Sequence, residues 1–181
     1  MSMTKVTSGI IDTVDASKIT GTMPAIDGSA LTGIGGGGKV LQVVSNHLST
    51  QAGSNVVSTW HATGLEANIT LSSTSSKVFI LYTMPIHHSQ PAKRTVSTVF
   101  RGAVGTTNLS PNANMGLGMT ASDNTGGGLT VVETGCVMDS NPNSTSQLLY
   151  TVGWKILDSG LTAYPMINNS NSSIILMEIA E

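Results

Sequence analysis

Val78-Phe79-Ile80-Leu81-Tyr82 is apolar at every position, whereas Thr95-Val96-Ser97-Thr98-Val99-Phe100 alternates hydroxyl and apolar side chains. Both runs are short, rich in β-branched and aromatic residues and bounded by Gly, Ser or Pro, so both read as strands. Alternation marks a strand with one wet face, and continuity marks one covered on both faces. In a small sandwich the second cover has to come from somewhere, and another copy of the chain is its simplest source.

The same pattern places strands at residues 39–45, 55–61, 67–72, 76–86, 95–102, 128–138, 146–156 and 173–180. Eight strands in roughly 140 residues suit a two-sheet jelly roll. The predicted fold is all-β, an antiparallel jelly-roll sandwich over residues 39–181 preceded by an extended, turn-rich arm over residues 1–38. The last strand, Ser173-Ile174-Ile175-Leu176-Met177-Glu178-Ile179, is too apolar for a frayed tail and should be locked inside a sheet.

Composition agrees with strands and narrows the function. Charged residues make up 10% of the 181, so the surface is clothed in hydroxyls and amides, unlike that of an ordinary cytosolic enzyme. A net charge of -2 and scattered Lys and Arg give no basic field for phosphates, so no nucleic-acid partner is expected. Met1 to Ile11 contains no apolar leader core, and no apolar run approaches spanning length; neither secretion nor membrane insertion is expected. Cys136 lies in Val131-Val132-Glu133-Thr134-Gly135-Cys136-Val137-Met138 and reads as a small buried hydrophobe.

The first 34 residues carry a repeat with a period of 12, Val14-Asp15-Ala16-Ser17-Lys18-Ile19-Thr20-Gly21-Thr22 returning as Ile26-Asp27-Gly28-Ser29-Ala30-Leu31-Thr32-Gly33-Ile34. Units this small cannot bury a core alone. Their apolar positions, Val14, Ile19, Ile26, Leu31 and Ile34, therefore need a sister chain or a larger surface to lie against. Gly35-Gly36-Gly37-Gly38 follows as a flexible joint. Gly33 to Gly38 also spells G-x-G-x-x-G, but a turn-rich repeat precedes it and a strand follows. A nucleotide fingerprint needs the strand before and the helix after.

Candidate chemical sites are weak. His87 and His88 are neighbours on a strand and point to opposite faces, so one ion cannot easily take both; His47 and His61 are distant in sequence. These read as loop and surface histidines. No G-x-S-x-G elbow singles out a serine. A glycan-cleaving pair would have to come from Glu66, Asp123, Glu133, Asp139, Asp158, Glu178 and Glu181, which are scattered. The stretches containing Asp123 and Asn124, and Asn141 and Asn143, read as tight loops and as possible receptor-facing surfaces. Trp60, Tyr82, Tyr150, Trp154 and Tyr164 lie within or beside strand runs, so most should be core or interface. No catalytic residue, metal or cofactor is expected.

The repeats Asp15-Ala16-Ser17-Lys18-Ile19-Thr20-Gly21 and Asp27-Gly28-Ser29-Ala30-Leu31-Thr32-Gly33 resemble those of phage tail-fibre and collar-like proteins. Gly38-Lys39-Val40-Leu41-Gln42-Val43-Val44, Leu71-Ser72-Ser73-Thr74-Ser75-Ser76-Lys77-Val78-Phe79-Ile80 and Ile175-Leu176-Met177-Glu178-Ile179-Ala180 are similar to the terminal knob of such fibres. The resemblance implies a non-enzymatic bacteriophage virion protein, a homotrimer whose knobs pack around a threefold axis somewhat like tumour-necrosis-factor-type trimers. It implies a short appendage at the virion surface, assembled in the host cytoplasm. Residues 1–38 would dock on another virion protein, and the knob would adhere to a host-surface glycan or protein. No long shaft is present, which keeps a capsid decoration or cement protein as the alternative and a glycan-degrading tail enzyme as a third reading.

Overall fold

The computed structural model describes residues 39–122 and 128–181. The anchoring positions Val14, Ile19, Ile26, Leu31 and Ile34, the glycines at 35–38, and Asp123 and Asn124 lie outside the described residues.

Among the described residues ten strands form: β1 (Val40–Leu48), β2 (His61–Thr70), β3 (Lys77–His88), β4 (Arg94–Arg101), β5 (Thr107–Asn108), β6 (Gly118–Ala121), β7 (Leu129–Asp139), β8 (Gln147–Ile156), β9 (Ala163–Pro165) and β10 (Ser172–Ile179). All strand pairings are antiparallel. One sheet runs β1-β10-β3-β7 with β9 beside β3, and the other runs β2-β8-β4 with β5 and β6 beside β4. The pairs β1·β10, β2·β8, β3·β7 and β4·β6 show the logic. The chain doubles back on itself at β4 and β6, and the doubled ribbon rolls up into two facing sheets, which is the jelly roll.

Alternation along β3 sets the inside and the outside. Val78, Ile80, Tyr82, Met84 and Ile86 are buried, while Lys77, Phe79, Leu81, Thr83 and Pro85 face outward. The core is continuous with inward residues of the second sheet, including Leu65, Ile69, Val99, Tyr150 and Val152 around one centre and Trp154 and Ile156 around another. β10 lies between β1 and β3, so the terminal strand is central, as its apolar sequence predicts.

Two sequence expectations need correction. Thr95 to Phe100 has no wet face: all six residues are buried, and so are Tyr150 to Ile156 of β8. Their outer cover is the chain's own loops, not another copy. Trp60 meets the Phe100 ring edge-on at 5.6 Å, Lys155 Nζ sits 4.5 Å from the Trp60 ring centre, and Val104 closes over Gly153. The segment 55–61 is the second correction. Apart from His61, which starts β2, it forms one isolated bridge, Val57 to Ile156, instead of a strand, because it is spent on that cover.

The strands also have two unequal ends. Lys39 and Ala180 meet at one, where the Ala180 amide donates to the Lys39 carbonyl at 2.9 Å. That end also carries the starts of β3 and β8 and the ends of β2, β4 and β7. The opposite end carries the connections 49–60, 89–93, 157–162 and 166–171.

Candidate functional site

Three features stand out: an apolar sheet face, a buried polar cluster, and the division of the loops between the two ends.

Register builds the face. On the outside of β1-β10-β3-β7, Val43, Met177, Phe79 and Met138 form one row across all four strands, and Ser45, Ile175, Leu81 and Cys136 form the next. Neither row holds a charged side chain. The following row is His47, Ser173, Thr83 and Thr134, after which Pro85 pairs with Val132. Exposure is high at the edge strands, 57% for Val43 and 64% for Val132. Cys136 belongs to this face and is exposed, which corrects the expectation of a buried thiol. The cause is parity: Glu133, Gly135 and Val137 take the inward positions of β7.

The polar cluster lies between the sheets. Thr95 Oγ1 of β4 and Thr120 Oγ1 of β6 donate to Glu133 Oε1 at 2.9 and 2.7 Å. His88 Nε2 lies 2.9 Å from Thr95 Oγ1 and joins the same network. Tyr82 and Ser97 hydroxyls meet at 2.7 Å in the same region. Glu133 Oε2 and His88 Nδ1 have no protein partner. Burial raises the Glu133 carboxyl above its ordinary range, against the pull of hydroxyls from Ser97, Thr120 and Thr95. Burial, and then the neighbouring His87, lowers His88. His88 is therefore a core residue, not a surface histidine, while His87 lies outside against Thr130 Oγ1 at 3.0 Å. Sequence reasoning overlooked this cluster. The available signal was the parity of Glu133 with Val131 and Val137 in a strand that needs one buried face.

The other described carboxylates have separate partners. Asp139 takes Arg101 at 3.1 Å and the Tyr150 hydroxyl at 2.9 Å, and Asp158 takes Arg94 at 2.8 Å. Glu178 accepts from Ser72 and Gln42, Glu181 pairs with Lys77 at 3.6 Å, and Glu66 is exposed on β2. Among the described residues no three His, Cys, Asp or Glu converge as metal ligands. Tyr82, Tyr150 and Trp154 are core, as expected, whereas Trp60 and Tyr164 are partly exposed.

Asn141 and Asn143 sit in the connection from β7 to β8, at the end where Lys39 begins the sandwich. Asn143 is left-handed at φ 48°, a conformation asparagine tolerates in a tight loop. Ser122 and Gly128, which flank the other candidate loop, lie at the far end of β7, about 35 Å away at the strand rise per residue. Among the described residues, five of the six left-handed non-glycine residues, Ser58, Ala92, Met166, Asn168 and Asn169, also belong to that far end.

No protein-family model matches the chain, and no curated protein does. Among solved structures, part of the chain is similar to the structure of infectious bursal disease virus, Gx strain, at 11% identity and a TM-score of 0.40. That alignment covers 78% of this chain and 37% of the other. A second similarity, to the Gt strain of the same virus, has 12% identity and a TM-score of 0.22 over 77% of this chain and 41% of that one. The chain thus spans well under half the length of the chains it resembles.

Proposed function

We propose that this chain is a non-enzymatic structural protein of a bacteriophage virion. Three copies assemble into a short surface appendage, residues 1–38 dock on another virion protein, and the sandwich is presented for adhesion to a host-surface glycan or protein. The observation that carries the reading is the polarity of the sandwich. Its first and last strands begin and finish side by side at one end, joined by the Ala180 to Lys39 hydrogen bond. A knob tethered there leaves the opposite end free. Adhesion therefore belongs to the connections 49–60, 89–93, 157–162 and 166–171, where the left-handed residues cluster, since backbone held in rare conformations recurs at ligand clamps.

Two further features support a structural role. The sequence repeats of the arm resemble those of fibre proteins, and the described acids other than Glu66 are engaged in structural hydrogen bonds or ion pairs or are sealed in the core. A glycan-cleaving enzyme needs two carboxyl groups facing one substrate.

The test is to image particles carrying a labelled form of this chain and to count copies. A few trimers at the tail are the expected result. Hundreds of chains on the head would replace the appendage with a capsid decoration protein, and no label on particles would overturn the reading.

A further inference from the structure

We infer that copies of this chain meet through the outer face of the β1-β10-β3-β7 sheet, with the Val43-Met177-Phe79-Met138 and Ser45-Ile175-Leu81-Cys136 rows as the dry centre of the contact. This deepens the assembly reading above and rests on it.

The first argument is the difference between the two sheets. The outer side of β4 and β8 is sealed by Trp60, Val104 and neighbouring loop residues, and the outer side of β2 is polar. The outer side of β1-β10-β3-β7 has neither kind of protection. Among the described residues, five of the eight large hydrophobic side chains that are exposed, Val40, Leu41, Val43, Val132 and Met138, stand on β1 and β7 at its two margins.

Charge supplies the second argument. Two copies of a face of one net sign repel when brought together, but these two rows carry no ionisable group except the Cys136 thiol. A neutral apolar face meets the same face of neighbouring copies without charge repulsion, whichever of its parts come together around the axis. The anatomy also fits. The apolar rows would be fully desolvated, and the His47-Ser173-Thr83-Thr134 row would form a hydrogen-bonding rim.

Area is the third argument. Four strands at about 4.8 Å spacing and a β3 of twelve residues give a face of roughly 750 Å². A stable assembly buries about 800 Å² of each chain, so the whole face is of the size needed, divided between two neighbours where three copies close around an axis. The corner between β1 and β2 offers less. Gln42 Nε2 and Asn46 Nδ2 of β1 already donate to the Thr70 and Glu66 carbonyls of β2, which satisfies acceptors that another chain would otherwise seek.

The experiment compares the full chain with Leu81→Glu, Val43→Glu and a control, Val56→Glu, at an exposed loop position off the face. Assembly is followed by light scattering at micromolar concentration and folding by circular dichroism; the Cys136 thiol of the unmodified chain is titrated with a maleimide before and after dilution. The expected result is an assembled wild type and control, folded monomers for the two face variants, and a thiol that reacts at least about tenfold faster once dilution dissociates the chains. Should Leu81→Glu disturb folding, Val43→Glu and the thiol still decide. An assembled wild type whose face variants stay assembled and whose thiol is freely reactive would overturn this surface while leaving self-assembly intact. A monomeric wild type would overturn both and assign the face to a different partner.

Discussion

Gln42 Nε2 of the first strand lies 2.6 Å from Glu178 Oε2 of the last, and the same carboxylate accepts from the Ser72 amide at 2.8 Å and hydroxyl at 2.6 Å through Oε1. One acid thus joins β1, β10 and the turn after β2, at the end where the chain enters the sandwich.

Burial pushes the Glu178 carboxyl up, but the donors from Ser72, Gln42 and Ser76 outweigh it and hold it at about 2, below its ordinary 4.5. A lowered folded value means the charged form is the stabilising one: its contribution is complete above 4.5 and is lost as pH falls toward 2. Glu178→Gln should cost about 1–3 kcal/mol at neutral pH, the worth of hydrogen bonds to a charged acceptor. Urea unfolding should show the gap to wild type closing as pH drops below 4.5.

Glu133 behaves in the opposite sense. Its folded carboxyl is raised from 4.5 by burial, so the neutral form is the one the core accepts. The stability it contributes is complete below 4.5 and is lost as pH rises through the folded value. Glutamine imitates the neutral acid, so Glu133→Gln should gain on wild type as pH rises. His88, lowered from 6.5, loses its contribution as pH falls through its folded value, but both proteins carry it and the comparison cancels it. A wild type that gains on Glu133→Gln with rising pH would refute this assignment.

Gly135 lies directly beneath the Tyr82 ring, whose hydroxyl is 2.7 Å from Ser97 Oγ. A methyl group at 135 would collide with the ring and break that bond's geometry. Gly135→Ala should therefore destabilise by about 1–3 kcal/mol, the usual range for overpacking, while Gly105→Ala, where a Cβ meets nothing, pays only for its left-handed φ of 92°. Thermal unfolding of the two variants checks the order.

Removing residues 174–181 takes out most of β10, leaving β1 and β3 without their shared neighbour. The truncated chain should fail to assemble and should lose its cooperative unfolding transition. Normal assembly by size-exclusion chromatography would contradict the central place given to that strand.

The strands that reach across the sandwich were legible in the sequence, because alternation and β-branching act over eight or more residues. β3, β4, β7, β8 and β10 fall within about two residues of their expected bounds, the ordinary error of such boundaries. β6 escaped notice because Gly116-Leu117-Gly118 looks like a loop, and its pairing with β4 is dictated by the partner strand. β2 begins earlier than expected because Gly64, at φ 81°, carries the strand through an irregularity that no periodicity reveals. The covered faces of β4 and β8 were illegible for a different reason. Trp60 and Val104 reach them only in three dimensions, so a pattern that looks half-wet in sequence is dry in the fold. The face of β1-β10-β3-β7 was half legible: Phe79 and Leu81 betrayed it, but the register that aligns them with Met177, Ile175, Cys136 and Met138 did not.

The most direct test of the account is the mass of the intact wild-type chain in solution, by multi-angle light scattering at micromolar concentration. The account predicts a particle of three chains, held together through an uncharged sheet face. A well-behaved single chain that stays soluble at that concentration would contradict it.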